Sequence, residues 1–459
     1  QNGVDGNVGI GYKALVFARG DYSVAVGYEA GDHATGSYNT FVGAQAGQGG
    51  TTSAPYSSGQ NNVALGYQAL KGFTTGGDNI AIGYQAGDAI TTAVANIAIG
   101  SLAAGALTTG GDNIAIGYAA LQSANGAEDN NIVIGTGAGQ NINNDASDDN
   151  VFIGTYAGRG GTGELDRCVA IGYQAMDGTG TVSGQQNIFI GDNAGGGSWT
   201  TAASNSNVAI GATAMSAALN GALGNTTVGH DGLKALTSGD NNVAIGRVAG
   251  TSVTSGYHNS LLGAYAGDAI TTGYDNTALG YAALSAEDTG YRNVAIGNEA
   301  LKVLNYDGAG YNVAVGHRAG YALTTGTVNT FLGAFAGGAT DDGIRNVAIG
   351  YAAMDTGNAG NDNIAIGYGA LQDTTADGNI AIGSYAMTQH TTGVRNIAIG
   401  QSAMYNTDAG STSLGSEDNI FIGNAAGSGT WADVASNQNC AVGHFSMDAA
   451  LNGALNNTA

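Results

Sequence analysis

A nine-residue motif returns twenty-five times along this chain: Asn, Ile or Val, Ala, Ile or Val, Gly, any, any, Ala, then Gly or Leu/Met. Asn79-Ile80-Ala81-Ile82-Gly83-Tyr84-Gln85-Ala86-Gly87 is one copy. Copies begin 16 to 23 residues apart, most often 17. Position 5 is Gly in every copy, and position 4 is always Ile, Val or Leu. A period this short, unbroken from Asn7 to Met447, predicts stacked units rather than a compact globule. Function then belongs to a long surface, not to a pocket.

The repeat overrides the prior of about three domains for 459 residues and predicts one continuous rod, 1–459. Eighty-one glycines without a Gly-X-Y period, and a single proline (Pro55), exclude collagen. An apolar fraction of 43% at fixed spacing can bury a core, which argues against disorder. Acids outnumber bases 35 to 12, the wrong balance for nucleic acid or anionic membranes. No stretch reaches the roughly 18 consecutive apolar residues of a membrane helix. Residues 187–228 recur as 419–459, with Trp431 where the first copy has Trp199. The second copy stops where the first continues, so a segment of a longer, super-repeated protein is expected.

Ile and Val fill position 2 in 19 of 25 copies, so positions 1 to 4 read as a strand. Positions 6 to 9, such as Tyr118-Ala119-Ala120-Leu121, read as a second short strand, followed by loops such as Thr108-Thr109-Gly110-Gly111-Asp112. The fold class is all-β: a parallel β-roll or β-solenoid of about 25 coils. Asn at position 1 is missing only at Ser23 and Cys168. It is either a column of amides bonding coil to coil or an Asx-turn residue at a corner. Cys168 and Cys440 lie fifteen copies apart, roughly 70 Å at about 4.8 Å per strand, so both are expected as small buried substitutes.

Positions 3 and 9 are correlated. Position 3 is bulky in seven copies (Phe41, Val133, Phe152, Phe189, Leu261, Phe331, Phe421), and all seven have Gly at position 9. The thirteen copies with Leu or Met at position 9 have only Ala, Gly or Thr at position 3. The two positions share one close-packed space. Positions 2 and 4 point to the opposite face from position 3. One face must line the coil interior, and the other is also apolar and volume-matched, so it is expected to be buried as well and needs a cover. Another subunit is the simplest cover, with a trimer expected first and a dimer second.

At Asn-Ile-Ala-Ile-Gly-Tyr-x-Ala, seen at Asn79, Asn113 and Asn363, the chain resembles the head repeats of trimeric autotransporter adhesins, repeats also found in phage tail fibres. The resemblance spans essentially the whole chain. It implies a left-handed parallel β-roll wound as a parallel homotrimer. It further implies an extracellular place, on a virion surface or a bacterial cell surface, and attachment to host molecules. The 17-residue period is longer than the usual adhesin head repeat, and the chain shows no heptad stalk, neck or outer-membrane anchor.

No catalytic constellation is apparent. The six histidines are scattered and read as ordinary surface residues. One metal candidate exists, calcium at Asp145, Ser147 and Asp149, where oxygen ligands alternate as at the start of a calcium loop. That run lacks the central Gly and closing Glu of an EF-hand, and no other cofactor is expected. Tyrosine follows the repeat Gly in nine copies, a ladder suited to packing or to sugar faces. Trp199 and Trp431, in matching long loops (195–206 and 427–438), are the candidates for glycan contact. The expected function is a non-enzymatic adhesive fibre segment projecting a host-binding tip. The alternative is a self-polymerising extracellular filament or matrix protein.

Overall fold

The computed structural model describes residues 5–51, 55–199, 201–407, 415–429, 431, 435–449, 451 and 453–459. It is an all-β parallel solenoid of about 25 turns at a spacing near 17 residues, with no helix among the described residues. The chain divides into two compact units, Gln1–Ser238 and Gly239–Ala459. In the first unit the three-residue strands run from Val8–Ile10 to Thr226–Val228, and a side pair joins Leu165–Asp166 to Gly184–Gln185. In the second unit they run from Val243–Ile245 to Cys440–Val442.

Register follows the motif. Ile80, Ala81 and Ile82 pair in parallel with Ile97, Ala98 and Ile99, and those with Ile114, Ala115 and Ile116. Each strand bonds both ways: Ile97 N–H donates to Asn113 O (2.8 Å), and Gly100 N–H donates back to Ile82 O (2.8 Å). The repeat Gly is required on two counts. Gly83 has φ +137°, and a Cβ there would lie 2.6 Å from the carbonyl oxygen of Gly100 in the next coil.

Positions 6 to 9 form a turn, not the second strand the sequence suggested. Backbone handedness alternates through it: Leu102 has φ +61° and Ala104 φ +48°, both non-glycine residues in the left-handed region. Alternation folds the segment tightly while still spending its N–H groups between coils. Leu102 N–H donates to Tyr84 O, Ala104 N–H donates to Ala120 O (both 2.9 Å), and Ala103 N–H closes the turn on Gly100 O (3.3 Å). These cross-coil bonds offset a cost of roughly 1–2 kcal/mol for each left-handed non-glycine residue.

The interior is built from columns. Position 3 points inward and is fully buried, as at Ala81, Ala98, Phe152 and Phe331, and position 8 joins it at Ala86 and Ala103. A further inward column, which the motif did not reveal, stands eleven residues after the Asn: Phe73, Ile90, Leu107, Ile142, Ile270, Leu323. Positions 3 and 9 occupy one space, as their correlation required. A Cβ at Gly195 would sit 2.7 Å from Phe189 Cγ, and one at Gly267 2.7 Å from Leu261 Cδ2.

Asn at position 1 does both jobs assigned to it. Asn96 N–H and Nδ2 donate to Asn79 Oδ1 at 3.0 and 3.1 Å, and Asn96 Oδ1 accepts the same pair from Asn113 at 3.0 and 3.1 Å. Nδ2 also donates to Gly110 O (3.0 Å) and Val94 O (3.1 Å), tying the corner to its loops. Each amide is thereby satisfied while buried, the condition for placing it in an apolar coil. Ser23 keeps part of this, its Oγ accepting Asn39 N–H at 3.1 Å.

Candidate assembly face

With position 3 inside, positions 2 and 4 are turned outward. The strands show this alternation directly, a buried central residue between two partly or fully exposed ones, both aliphatic in most coils. Leu65 is 48% exposed, Leu279 42% and Leu332 47%, so in each unit an apolar stripe runs across the stacked strands with nothing over it. No residue at positions 2 to 5 of any copy is charged, in a chain of formal net charge −23. Uncovered contiguous apolar surface of this kind marks an interaction site.

Two polar columns border the stripe. After the repeat Gly, exposed tyrosines stack in pairs: Tyr12 on Tyr28 (5.3 Å between centroids), Tyr67 on Tyr84 (5.5 Å), and Tyr351 on Tyr368 (5.3 Å). Beside them Gln85 Nε2 donates to Gln68 Oε1, and Gln68 Nε2 to Gln45 Oε1. Just before the Asn, opposite charges pair between coils of the second unit. Arg345 pairs with Asp362 through two bonds (2.6 and 2.7 Å), and Arg395 reaches both Asp418 and Glu417. The guanidinium bonds hold the Asp362 and Asp418 carboxyls below their ordinary range. Being exposed, these pairs contribute little to stability and more to how the border meets a charged partner.

The residues singled out for chemistry lie elsewhere. Ser147 is buried, its Oγ accepting Leu165 N–H at 3.0 Å, while Asp149 is exposed and Asp145 packs over Gly126 of the preceding coil. The Ser147 hydroxyl is thus engaged inside the coil, while the Asp145 and Asp149 carboxylates lie at the surface. Among the described residues no three His, Cys, Asp or Glu side chains group as metal ligands.

Trp199 and Trp431 are 5% and 4% exposed, packed edge-on against Phe189 and Phe421, with Trp199 Nε1 donating to Gly195 O. Neither offers a ring face to a glycan: both indoles are buried, and Trp199 lies over Gly184, where a Cβ would sit 2.6 Å from its Cζ3. Residues 430 and 432–434 of the second loop lie outside the described residues. His390 corrects the surface reading of the histidines: it is fully buried in the inward loop column, its Nδ1 2.7 Å from Thr407 Oγ1. Burial pushes the Cys168 thiol up to about 11, while Cys440 sits half-buried at position 2 of the outer stripe.

One hollow of about 510 Å³, lined by Asp288, Asn305, Tyr306, Asp307 and Thr325, opens on a loop. Beside it Glu287 is fully buried, and desolvation pushes its carboxyl up to about 7 against the bond from Gly290 N–H (2.8 Å). No helix among the described residues is long and apolar enough to cross a membrane. No protein-family model matches the chain, and no curated protein matches it.

Proposed function

We propose that this chain is a structural and adhesive fibre segment that associates with sister copies through its Ile/Val stripe. A parallel homotrimer of left-handed rolls is the arrangement adopted here. It follows from the resemblance to trimeric adhesin head repeats, and it places the chain outside the cell, on a virion or a bacterium. The protein then works without catalysis, holding a host-binding tip away from its anchor and adding weak contacts to host surfaces by multivalency.

The observation that carries this reading is the uncovered, charge-free stripe on the outer face of the strands, aliphatic in most coils. In water each half-exposed Ile or Leu forgoes roughly 1 kcal/mol of burial, and parallel copies of one chain recover it coil by coil. A partner of different sequence would need the same short period, whereas a sister chain has it already.

Mass in solution tests the proposal. Sedimentation equilibrium is expected to return three times 45.2 kDa, independent of concentration. A monomer defeats the assembly reading, and mass that grows with concentration favours the filament instead.

A further inference from the structure

An Ile/Val stripe repeated every coil holds copies together without fixing their register, since a slip by one coil still sets aliphatic on aliphatic. Something on the stripe must break the period. Position 2 does so at Thr40 and Thr226 in the first unit, and at Ser260, Thr277 and Thr330 in the second. Ser260 and Thr277 are neighbours in the ladder, and Thr330 stands between Val313 and Val347. All five side chains lie on the outer face, and none of their hydroxyls is bonded among the described residues.

The coils around them are adjusted as packed surfaces are. All nine coils with Ile at position 2 have Ile at position 4. All six with Thr, Ser or Cys at position 2 have Val or Leu there instead, as in Ser260/Leu262, Thr277/Leu279 and Thr330/Leu332. Two side chains that only faced water would have no reason to match one another. Matching is what a common close-packed neighbour imposes.

Resting on the self-association proposed above, we infer that Thr277 and Thr330 are register keys, hydroxyl layers in the aliphatic seam that admit only in-register sister chains. In register, the Thr330 hydroxyls of parallel copies meet at one level and can each donate and accept. Slipped by a coil, they face Val313 or Val347 and are buried without partners, which disfavours that arrangement. A single polar residue in an apolar coiled-coil seam sets register by the same physics.

Cross-linking tests this on the full chain. Two versions carry Cys440→Ser, with buried Cys168 left in place; one adds Ile366→Cys and the other Ile399→Cys. The two sites are two coils apart, roughly 9.6 Å along the stack, beyond the ~7 Å Cα span of a disulfide. Co-refolded and oxidised, native seams are expected to give like-with-like disulfides, with the mixed product at least about tenfold rarer. Thr277→Val with Thr330→Val, which keeps shape and removes the hydroxyls, is expected to raise the mixed product about tenfold, and Thr→Ser at both sites to restore the native pattern. An unchanged mixed product in the valine pair, with the assembly mass intact, overturns the keys and leaves self-association standing. Loss of assembly in the valine pair also overturns them, because cohesion rather than register would then depend on the hydroxyls. A native chain that is monomeric by mass removes both proposals together.

Discussion

The ring of Phe331 fills the space above Gly337: a Cβ added to that glycine would lie 2.5 Å from Phe331 Cε1. The same coil position holds Leu or Met, at a similar backbone angle, only where the residue six places earlier is small; Leu371 (φ +52°) opposite Ala365 is one case. Phe331→Ala is expected to cost about 3–5 kcal/mol through the cavity it leaves. Gly337→Leu alone should be severely destabilising. The double variant should fall short of the summed costs by roughly 2 kcal/mol or more in urea unfolding, because leucine refills the cavity. Additive costs would show that the two positions do not share a space.

The Asn column makes a different demand. Asn96→Ala leaves the Asn113 N–H and the Gly110 carbonyl without their partners, in a buried place. Each orphan costs about 1–3 kcal/mol, so a total loss of about 3 kcal/mol is expected by chemical denaturation. Asn96→Ser should recover part of it, as Ser23 does in its own coil. Near-neutral alanine would reduce the column to a set of ordinary corner residues.

At Cys168 the column has a weak link. The backbone and side-chain N–H groups of Asn187 approach its sulfur, a poor acceptor, where an amide oxygen stands in neighbouring coils. Cys168→Asn should therefore stabilise the first unit by about 1 kcal/mol, read as a higher urea midpoint at unchanged slope. A lower midpoint would mean that this coil has been reshaped around the thiol.

Glu287 predicts a pH dependence. Its folded carboxyl titrates near 7 against an ordinary value of 4.5, so the folded chain binds the extra proton between those limits. Stability conferred by the neutral form is fully present below about pH 4.5 and is lost as pH rises to 7, a decline on the order of 2–3 kcal/mol. Thermal unfolding of wild type and Glu287→Gln between pH 4.5 and 8 should differ in slope, the variant being the flatter. Parallel curves would place the proton elsewhere.

Much of the fold was legible because a repeat displays its constraints many times over. Gly83 and its equivalents could be read as a column without Cβ atoms, and the Phe331–Gly337 exchange as shared volume, since each recurs against a constant background. Single occurrences were not legible. His390 occupies an aliphatic slot once, and Trp199 and Trp431 fill the space beside a bulky position 3, so their burial leaves no periodic trace. The column holding Phe73, Ile90 and Leu107 keeps a constant spacing from the Asn, but Glu287, Thr340 and His390 stand at the same place in other coils, so its mixed composition hid it. The left-handed turn residues, Leu102 among them, carry no compositional mark because cross-coil bonds rather than glycine accommodate them.

From the sequence alone come the period, the parallel register, the amide column and the two-faced strand, all consequences of identical local chemistry meeting itself at a fixed interval. The inward direction was decided only by tertiary structure. Alternation says that Ala81 and Ile82 face opposite ways, not which faces the interior. The narrow coil settles it: its cross-section already holds residues such as Ala69, Leu70 and Phe73, so alanine goes inside at position 3 and isoleucine is left on the surface, where a partner can cover it.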